Sequence, residues 1–229
     1  MEFRDVIETL GLKVPFDPKI ITPVIERCMR NNYYEHDEVR ALRAVLQADD
    51  RVLELGGRVG LCSTVIAKIP SISRVVAIEA NPEMISMIEE THRLNPVSGL
   101  VEVRNFVVTS SAASEVPFYI RSDFWSSSMD KEAGPFDRVA MVPSISLRSL
   151  LAEISPTLLV CDIEGGELGL FDNVDLSGVE TVIMELHPKV YGTEGCEHVV
   201  SVLAAQGLHV SPLSKQGNSV QVFSRRSSL

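Results

Sequence analysis

Residues Arg51 to Leu61 read RVLELGGRVGL, and this stretch decides the fold. An apolar run with branched side chains at Val52, Leu53 and Leu55 stops at Gly56, and a helical pattern begins near Gly60. A strand, a glycine loop and a helix in that order let a ligand approach the backbone closely. The first N–H groups of the helix lack intrahelical partners and offer hydrogen bonds at the same place. Glu54, at the end of the strand, restricts what the junction can hold. Its carboxylate repels a pyrophosphate and attracts an ammonium or a sulfonium.

Outward from this junction, strand and helix patterns alternate. Strands are predicted at Arg51–Leu55, Arg74–Glu79, Val101–Phe106, Thr157–Ile163 and Glu180–Leu186, and helices at Leu61–Lys68, Pro82–Leu94, Glu167–Asp172 and Gly195–Gln206. Such alternation predicts an α/β fold with a mostly parallel sheet. Leu208–Val210 and Ser219–Phe223 have no helix between them and read as a closing antiparallel hairpin. The stretch Pro117–Met141 breaks the pattern and reads as an insertion covering the site, with Phe118, Tyr119, Phe124 and Trp125 set among serines and charges.

Residues 1–50 read as a helical extension on the α/β core of residues 51–229, within one domain. Val6, Ile7 and Leu10 recur at helical spacing before Gly11, and Pro15, Pro18 and Pro23 mark an extended connector. Thr22 is the expected cap of a second helix with Pro23 at its first position, and a third helix is expected from Glu35 to Gln47.

Bulk properties narrow the function. The 229 residues carry 45% hydrophobic and 23% charged side chains, ordinary for a globular protein, with a formal net charge of -10. That charge argues against a nucleic-acid surface, which needs clustered Lys and Arg. Cys28, Cys62, Cys161 and Cys196 form no C-x-x-C pair, which fits neither a zinc site nor a disulfide scaffold and points to a reducing compartment. No apolar run is long enough for a membrane span, and MEFRDVIETLG lacks the basic start and apolar core of a signal peptide. A cytoplasmic location is the expectation.

Parallel sheets bind ligands at the carboxyl ends of their strands, where Glu54, Glu79 and Asp162 fall. Glu79 follows Gly60 by 19 residues, close to the roughly 20-residue spacing at which an acid meets a ribose hydroxyl. A dinucleotide fits less well, because Leu55 stands where its fingerprint needs the first glycine, and so a nicotinamide-dependent oxidoreductase is disfavoured.

Glu54, Gly56, Gly60 and Glu79 together resemble the cofactor site of class I S-adenosylmethionine-dependent methyltransferases, with their Rossmann-like fold. The string CDIEGGE around Asp162, with EHDE before the first strand and ELHP after the later one, resembles the FkbM family within that class. The likeness runs from about Asn32 through Pro188 and includes Tyr34-Glu35 with Glu38, Glu79-Ala80-Asn81, Asn105-Phe106-Val107 and the serines 126–128. The family's loop more often starts from Asp and continues Gly-Ala-Asn, so Glu54 and Arg58 depart from it.

The resemblance implies roles for these positions. Glu79 would accept from the ribose hydroxyls, with Ala80 and Asn81 beside the adenosine and Asn105 and Phe106 bordering the adenine. Glu54 and the Gly56–Gly60 backbone would hold the methionine part, and Tyr34 and Glu35 would close over it. Methyl transfer to an alcohol needs a general base, for which His187 is the first candidate, with Asp162 and Glu164 beside it. A set of carboxylates also suits Mg²⁺, an assignment left open, as is capping of a helix by the same acids. Glu164 and Glu167, one helical turn apart, would share a face.

The expected function is S-adenosylmethionine-dependent O-methylation of a small-molecule or glycan hydroxyl. N-methylation by the same fold, or a non-catalytic adenosine-binding subunit, are the alternatives. A homodimer through the N-terminal helices is compatible with the sequence.

Overall fold

The computed structural model describes residues 5–97, 99–111 and 114–225. Strands β1 (Asp5–Thr9) and β2 (Leu12–Phe16) come first, followed by helices α1 (Pro23–Arg30) and α2 (His36–Val45). The alternating core runs β3 (Arg51–Leu55), α3 (Leu61–Ala67), β4 (Arg74–Glu79), α4 (Ile85–Leu94) and β5 (Val101–Asn105). Next come β6 (Val107–Thr109), β7 (Glu115–Ile120), β8 (Arg138–Ser146) and α5 (Leu147–Ile154). The chain continues through β9 (Leu158–Cys161), β10 (Thr181–Glu185), α6 (Pro188–Ala205), β11 (His209–Val210) and β12 (Val220–Ser224).

Seven strands form the central sheet in the order β11-β12-β10-β9-β3-β4-β5. From β3 the chain winds outward through β4 and β5, then returns to the other side through β9 and β10, all parallel. The order therefore reverses between β3 and β9, where Leu55 pairs with Cys161 and the Asp162 N–H donates to the Leu55 carbonyl. That crevice is where a sheet of this type takes its ligand. The β11–β12 pair closes the edge antiparallel, as the sequence predicts.

Alternation along β3 sends side chains to two cores. Leu53 and Leu55 pack with β4, α5 and α6 residues, whereas Val52 faces the layer of α2, α3 and α4. Glu54 shares the Val52 face and is 1% exposed, a carboxylate where the pattern calls for an apolar side chain.

The expectation of a helix through Val6, Ile7 and Leu10 is corrected, and its first four residues lie outside the described ones. β1 and β2 form an antiparallel hairpin with Thr9 opposite Leu12. The two residues between them, Leu10 and Gly11, both have positive φ (52° and 80°), the conformation of a two-residue hairpin turn that matches strand twist. β-Branched Val6, Ile7, Thr9 and Val14 then favour strands over a helix. The hairpin is clamped to α4 by Asn95, which exchanges two backbone hydrogen bonds with Lys13 (3.0 and 2.6 Å). α1 and α2 are the expected second and third helices. Thr22 precedes Pro23 as expected, but its hydroxyl donates to Asp123 (2.6 Å) instead of capping.

Two further differences concern helices. Residues 167–172 form successive turns, because Glu164, Gly165 and Gly169 all take positive φ and break any helical run. Leu147–Ile154 is a helix that the sequence reading lacked, capped by Ser146 through Ser149 N–H. The 117–141 insertion is a hairpin, β7 with β8, that pairs onto β6 to make a separate three-stranded sheet. Among the described residues no helix is long and apolar enough to cross a membrane.

On the buried face of α4 stands His92, 3% exposed, its Nε2 3.0 Å from the Ser63 hydroxyl. Burial pushes its pKa down to about 4 from an ordinary 6.5. The neutral imidazole therefore contributes stability in full above pH 6.5, and this is lost as the pH falls toward 4, up to about 3 kcal/mol. Urea unfolding across that window should show this loss in the wild type and a shallower pH dependence in His92→Gln. Equal slopes would contradict the assignment.

Candidate functional site

The site assembles at the reversal between β3 and β9. Gly56 takes φ +92°, and a Cβ there would stand 2.0 Å from the Asp162 carbonyl oxygen, so the two strand ends approach as only glycine permits. Gly60, at φ +79°, admits Ile88 and His92 of α4 against the loop. Between the two glycines sits Arg58, a non-glycine residue at φ +49°.

Glu79 ends β4 at 6% exposure and organises the loop beside it. Its carboxylate accepts the backbone N–H of Arg58 (2.7 Å) and of Asn81 (2.6 Å). Carboxylate oxygens offer about four acceptor positions, so sites for incoming hydroxyls remain. Burial raises its pKa, against the pull of those N–H groups and of Arg58.

A cavity opens here, lined by Gly56, Glu79, Ala80, Phe106, Trp125 and Asp162 among others. The 117–141 insertion supplies one wall through Phe118, Phe124, Trp125, Ser127 and Met129. That wall is pinned. Arg121, 6% exposed, donates to the carbonyls of Tyr119, Ser126 and Asp130, and its N–H to the Ser127 hydroxyl. Asn105 stands behind the cavity, its amide nitrogen donating to the carbonyls of Glu79 (2.8 Å) and Ala80 (3.0 Å). Asn81 is similarly committed, accepting from Glu83 N–H.

A second cavity, about 930 Å³, lies on the α2 side and shares Arg58, Trp125 and Glu164 with the first. Its lining is acidic: Glu35, Asp37, Glu38, Glu164 and Glu185. Tyr34 belongs to it too, stacked on Trp125 with ring centroids 5.9 Å apart and edge-on to Phe124. Glu35, the residue preceding α2, is 8% exposed and takes a left-handed φ of 51°.

Between the cavities the charges converge. The Arg58 guanidinium reaches Asp162 at 2.5 Å and Glu164 at 2.7 Å. His187 Nε2 lies 3.6 Å from Asp162 and 3.4 Å from Glu164, and its Nδ1 lies 3.4 Å from Glu167. Glu164 and Glu167 do not share a face. Without the expected helix, Glu164 turns to Arg58, whereas the fully buried Glu167 caps the turn by accepting from Ile163 and Gly165 N–H.

These groups do not titrate normally. Burial holds the Asp162 carboxyl well above the usual range, although Arg58 pulls it down. For His187 burial favours the neutral ring, but Glu167, Glu164 and Glu185 outweigh it and raise the pKa. Burial and the neighbouring Glu35 hold Glu54 well above the carboxylate range. Glu38, one turn along α2 from Glu35, is pushed up to about 7 by burial and then by Glu35 and Glu185. Buried acids thus outnumber cations, and one oxygen each of Glu35 and Glu54 has no hydrogen-bond partner. Such orphaned carboxylate oxygens fit a ligand with a cationic group. Two sets of side chains, Asp162 with Glu167 and His187, and Asp162 with Glu38 and Glu185, are close enough to hold a metal ion, so oxygen-ligand chemistry has a geometric basis here.

Among the expected residues, the structure gathers Glu79, Ala80, Phe106, Gly56 and Asp162 about the first cavity, and Tyr34 and Glu35 about the second. Asp162, Glu164 and His187 meet at the boundary. Sequence reasoning counted Glu38 and Glu185 in the family likeness but gave neither a role in the site, although the three-residue spacing from Glu35 signals the first. It gave no role to Arg58, whose reach across to β9 leaves no local signal.

The site generates one direct prediction. Glu167→Gln should lower the His187 pKa, followed by NMR titration of the imidazole. A pKa unchanged in a folded variant would show that Glu167 does not hold the imidazolium.

A model of the family described as methyltransferase FkbM domain matches residues 54–210. No curated protein matches the sequence. Among solved structures, the ribosomal protein L11 methylase of Lactobacillus delbrueckii subsp. bulgaricus is 14% identical, with a TM-score of 0.51 over 84% of this chain and 78% of that one. A tRNA (uracil-54, C5)-methyltransferase of Pyrococcus abyssi, in complex with S-adenosyl-L-homocysteine, is 13% identical, with a TM-score of 0.51 over 98% of this chain and 44% of that one. At such identities the two structures share a fold with this chain.

Proposed function

The chain belongs to the FkbM family of methyltransferases, and on that premise we propose that it is an O-methyltransferase that moves the methyl group of S-adenosylmethionine to a hydroxyl of a small molecule or glycan. The observation that carries the reading is the meeting of Asp162, Glu164 and His187 where the cavity beside Glu79 adjoins an acidic one.

The residues fit the cofactor on two counts. Glu79 presents a carboxylate to the first cavity, suited to ribose hydroxyls, beside Ala80 and Phe106, which offer an apolar seat for adenine. Glu35, which lines the second cavity, holds an orphaned carboxylate oxygen suited to the ammonium of the methionyl part. S-adenosylmethionine supplies an electrophilic methyl group on a sulfonium. The protein's part is to position the acceptor in line and to take its proton.

His187 is the proposed base at Nε2, with the Glu167 carboxylate 3.4 Å from Nδ1 balancing the charge of the ring and Asp162 orienting the acceptor hydroxyl. A pinned aromatic wall at Phe124 and Trp125 lines the transfer path. Mg²⁺ is compatible with the acidic cluster but is not required by this scheme. The carboxylate lining disfavours phosphate-bearing acceptors such as nucleic acid. The extension before residue 51, which contributes Tyr34, Glu35 and Glu38, and the α/β core form one catalytic domain, with a cytoplasmic location.

The same acidic lining favours a second reading, transfer to an amine, because Glu35, Asp37, Glu38 and Glu185 would gather a protonated acceptor. Mass-spectrometric localisation of the transferred methyl on oxygen or nitrogen separates the two.

S-adenosylmethionine should bind by calorimetry, and Glu79→Gln should weaken it about 10- to 100-fold by loss of charged hydrogen bonds. No binding to folded wild-type protein would sink the reading. With an acceptor in hand, kcat/KM should rise with pH through a limb above the ordinary histidine value of 6.5, because the base must be deprotonated. His187→Gln should remove that limb and lower kcat at least about 100-fold. A limb that persists in the variant would place the base elsewhere.

A further inference from the structure

We propose that Arg58 binds the carboxylate of the cofactor's methionyl part, exchanging Asp162 and Glu164 for it; this rests on the S-adenosylmethionine reading above. Three observations support the assignment. Among the described residues lining either cavity, Arg58 is the one Lys or Arg, and it lies on the wall the two share. A methionyl tail carries an ammonium and a carboxylate, and the orphaned oxygen of Glu35 answers only the first. Four of the loop's backbone donors are committed: Gly56 and Gly57 N–H to the Ile78 carbonyl, Arg58 N–H to Glu79, and Gly60 N–H to the Gly57 carbonyl.

An exchange limits the cost of taking Arg58 from its partners. Removing one partner from a buried ion pair is costly because it strands the other charge. Replacing two carboxylates by another carboxylate keeps Arg58 paired, so the cost falls on Asp162 and Glu164 alone. Those two retain His187 within 3.6 and 3.4 Å. Arg58 is also anchored at its root. Its N–H donates to the same Glu79 that would hold the ribose, and its left-handed φ of 49°, which costs a side-chain-bearing residue about 1 kcal/mol, is kept by that anchor.

The exchange has a consequence for the chemistry. In the free protein Arg58 ties down Asp162, and with the carboxylate of the tail on Arg58 the Asp162 side chain is released toward the acceptor. Cofactor would then bind before acceptor, and Arg58 is in this scheme a cofactor-binding residue that also positions Asp162.

The test is calorimetric, on full-length wild type and Arg58→Met, with three ligands: S-adenosylmethionine, its decarboxylated analogue, and 5′-methylthioadenosine, which lacks the tail. Wild type should prefer S-adenosylmethionine over the decarboxylated analogue by about tenfold or more, as expected for a buried charge pair. Arg58→Met should bring the two to within about threefold and leave 5′-methylthioadenosine binding within about twofold of wild type, and Arg58→Lys should keep part of the preference. A preference that survives in Arg58→Met, or its absence in wild type, overturns the proposal. Wild type that binds none of the three ligands overturns the cofactor reading itself. If Arg58→Met does not fold by circular dichroism, Arg58→Gln is read by the same criteria.

Discussion

An excess of buried carboxylates around one guanidinium is the constraint on which the site depends. Arg58 pairs with Asp162 and Glu164, while Glu35, Glu38 and Glu185 line the acidic cavity with no other Lys or Arg among the described residues along its walls. Isolated charges in a low-dielectric interior are expensive, and neighbours of like sign raise each other's pKa. Such an arrangement suits a cationic ligand. The raised Glu38 and Glu54 and the orphaned oxygens of Glu35 and Glu54 are the local signs of that strain.

The sheet creates this concentration. Because strand order reverses between β3 and β9, the ends of both strands and of their neighbours β4 and β10 converge on one crevice. Each of those ends delivers an acid: Glu54, Asp162, Glu79 and Glu185. α2 then lowers Glu35 and Glu38 onto the same spot, and the insertion closes it with an aromatic wall stapled by Arg121. Fold and site are therefore one construction, and burial of the acids follows from burial of the strand ends.

Much of this was legible in the sequence wherever the signal was local. The parallel strands announced themselves as branched apolar runs, and the acids at their ends could be counted from there. The signal failed where distant partners decide the outcome. Val6, Ile7 and Leu10 are spaced for a helix, yet the turn conformation of Leu10-Gly11 and the clamp from Asn95, far along the chain, make a hairpin. Glu164 and Glu167 are spaced to share a face, yet positive φ at Glu164 and Gly165 sends them apart, one to Arg58 and one to the backbone. Arg58 was unreadable because its partners lie more than a hundred residues away, on the other side of the strand reversal.

The most direct test of the account is a crystal structure of the protein grown with S-adenosylhomocysteine, the stable product form of the cofactor. The account predicts the ribose hydroxyls on the Glu79 carboxylate, the adenine against Phe106 and the amino-acid tail beside Arg58. A nucleoside bound elsewhere, or turned so that its ribose does not meet Glu79, would contradict it.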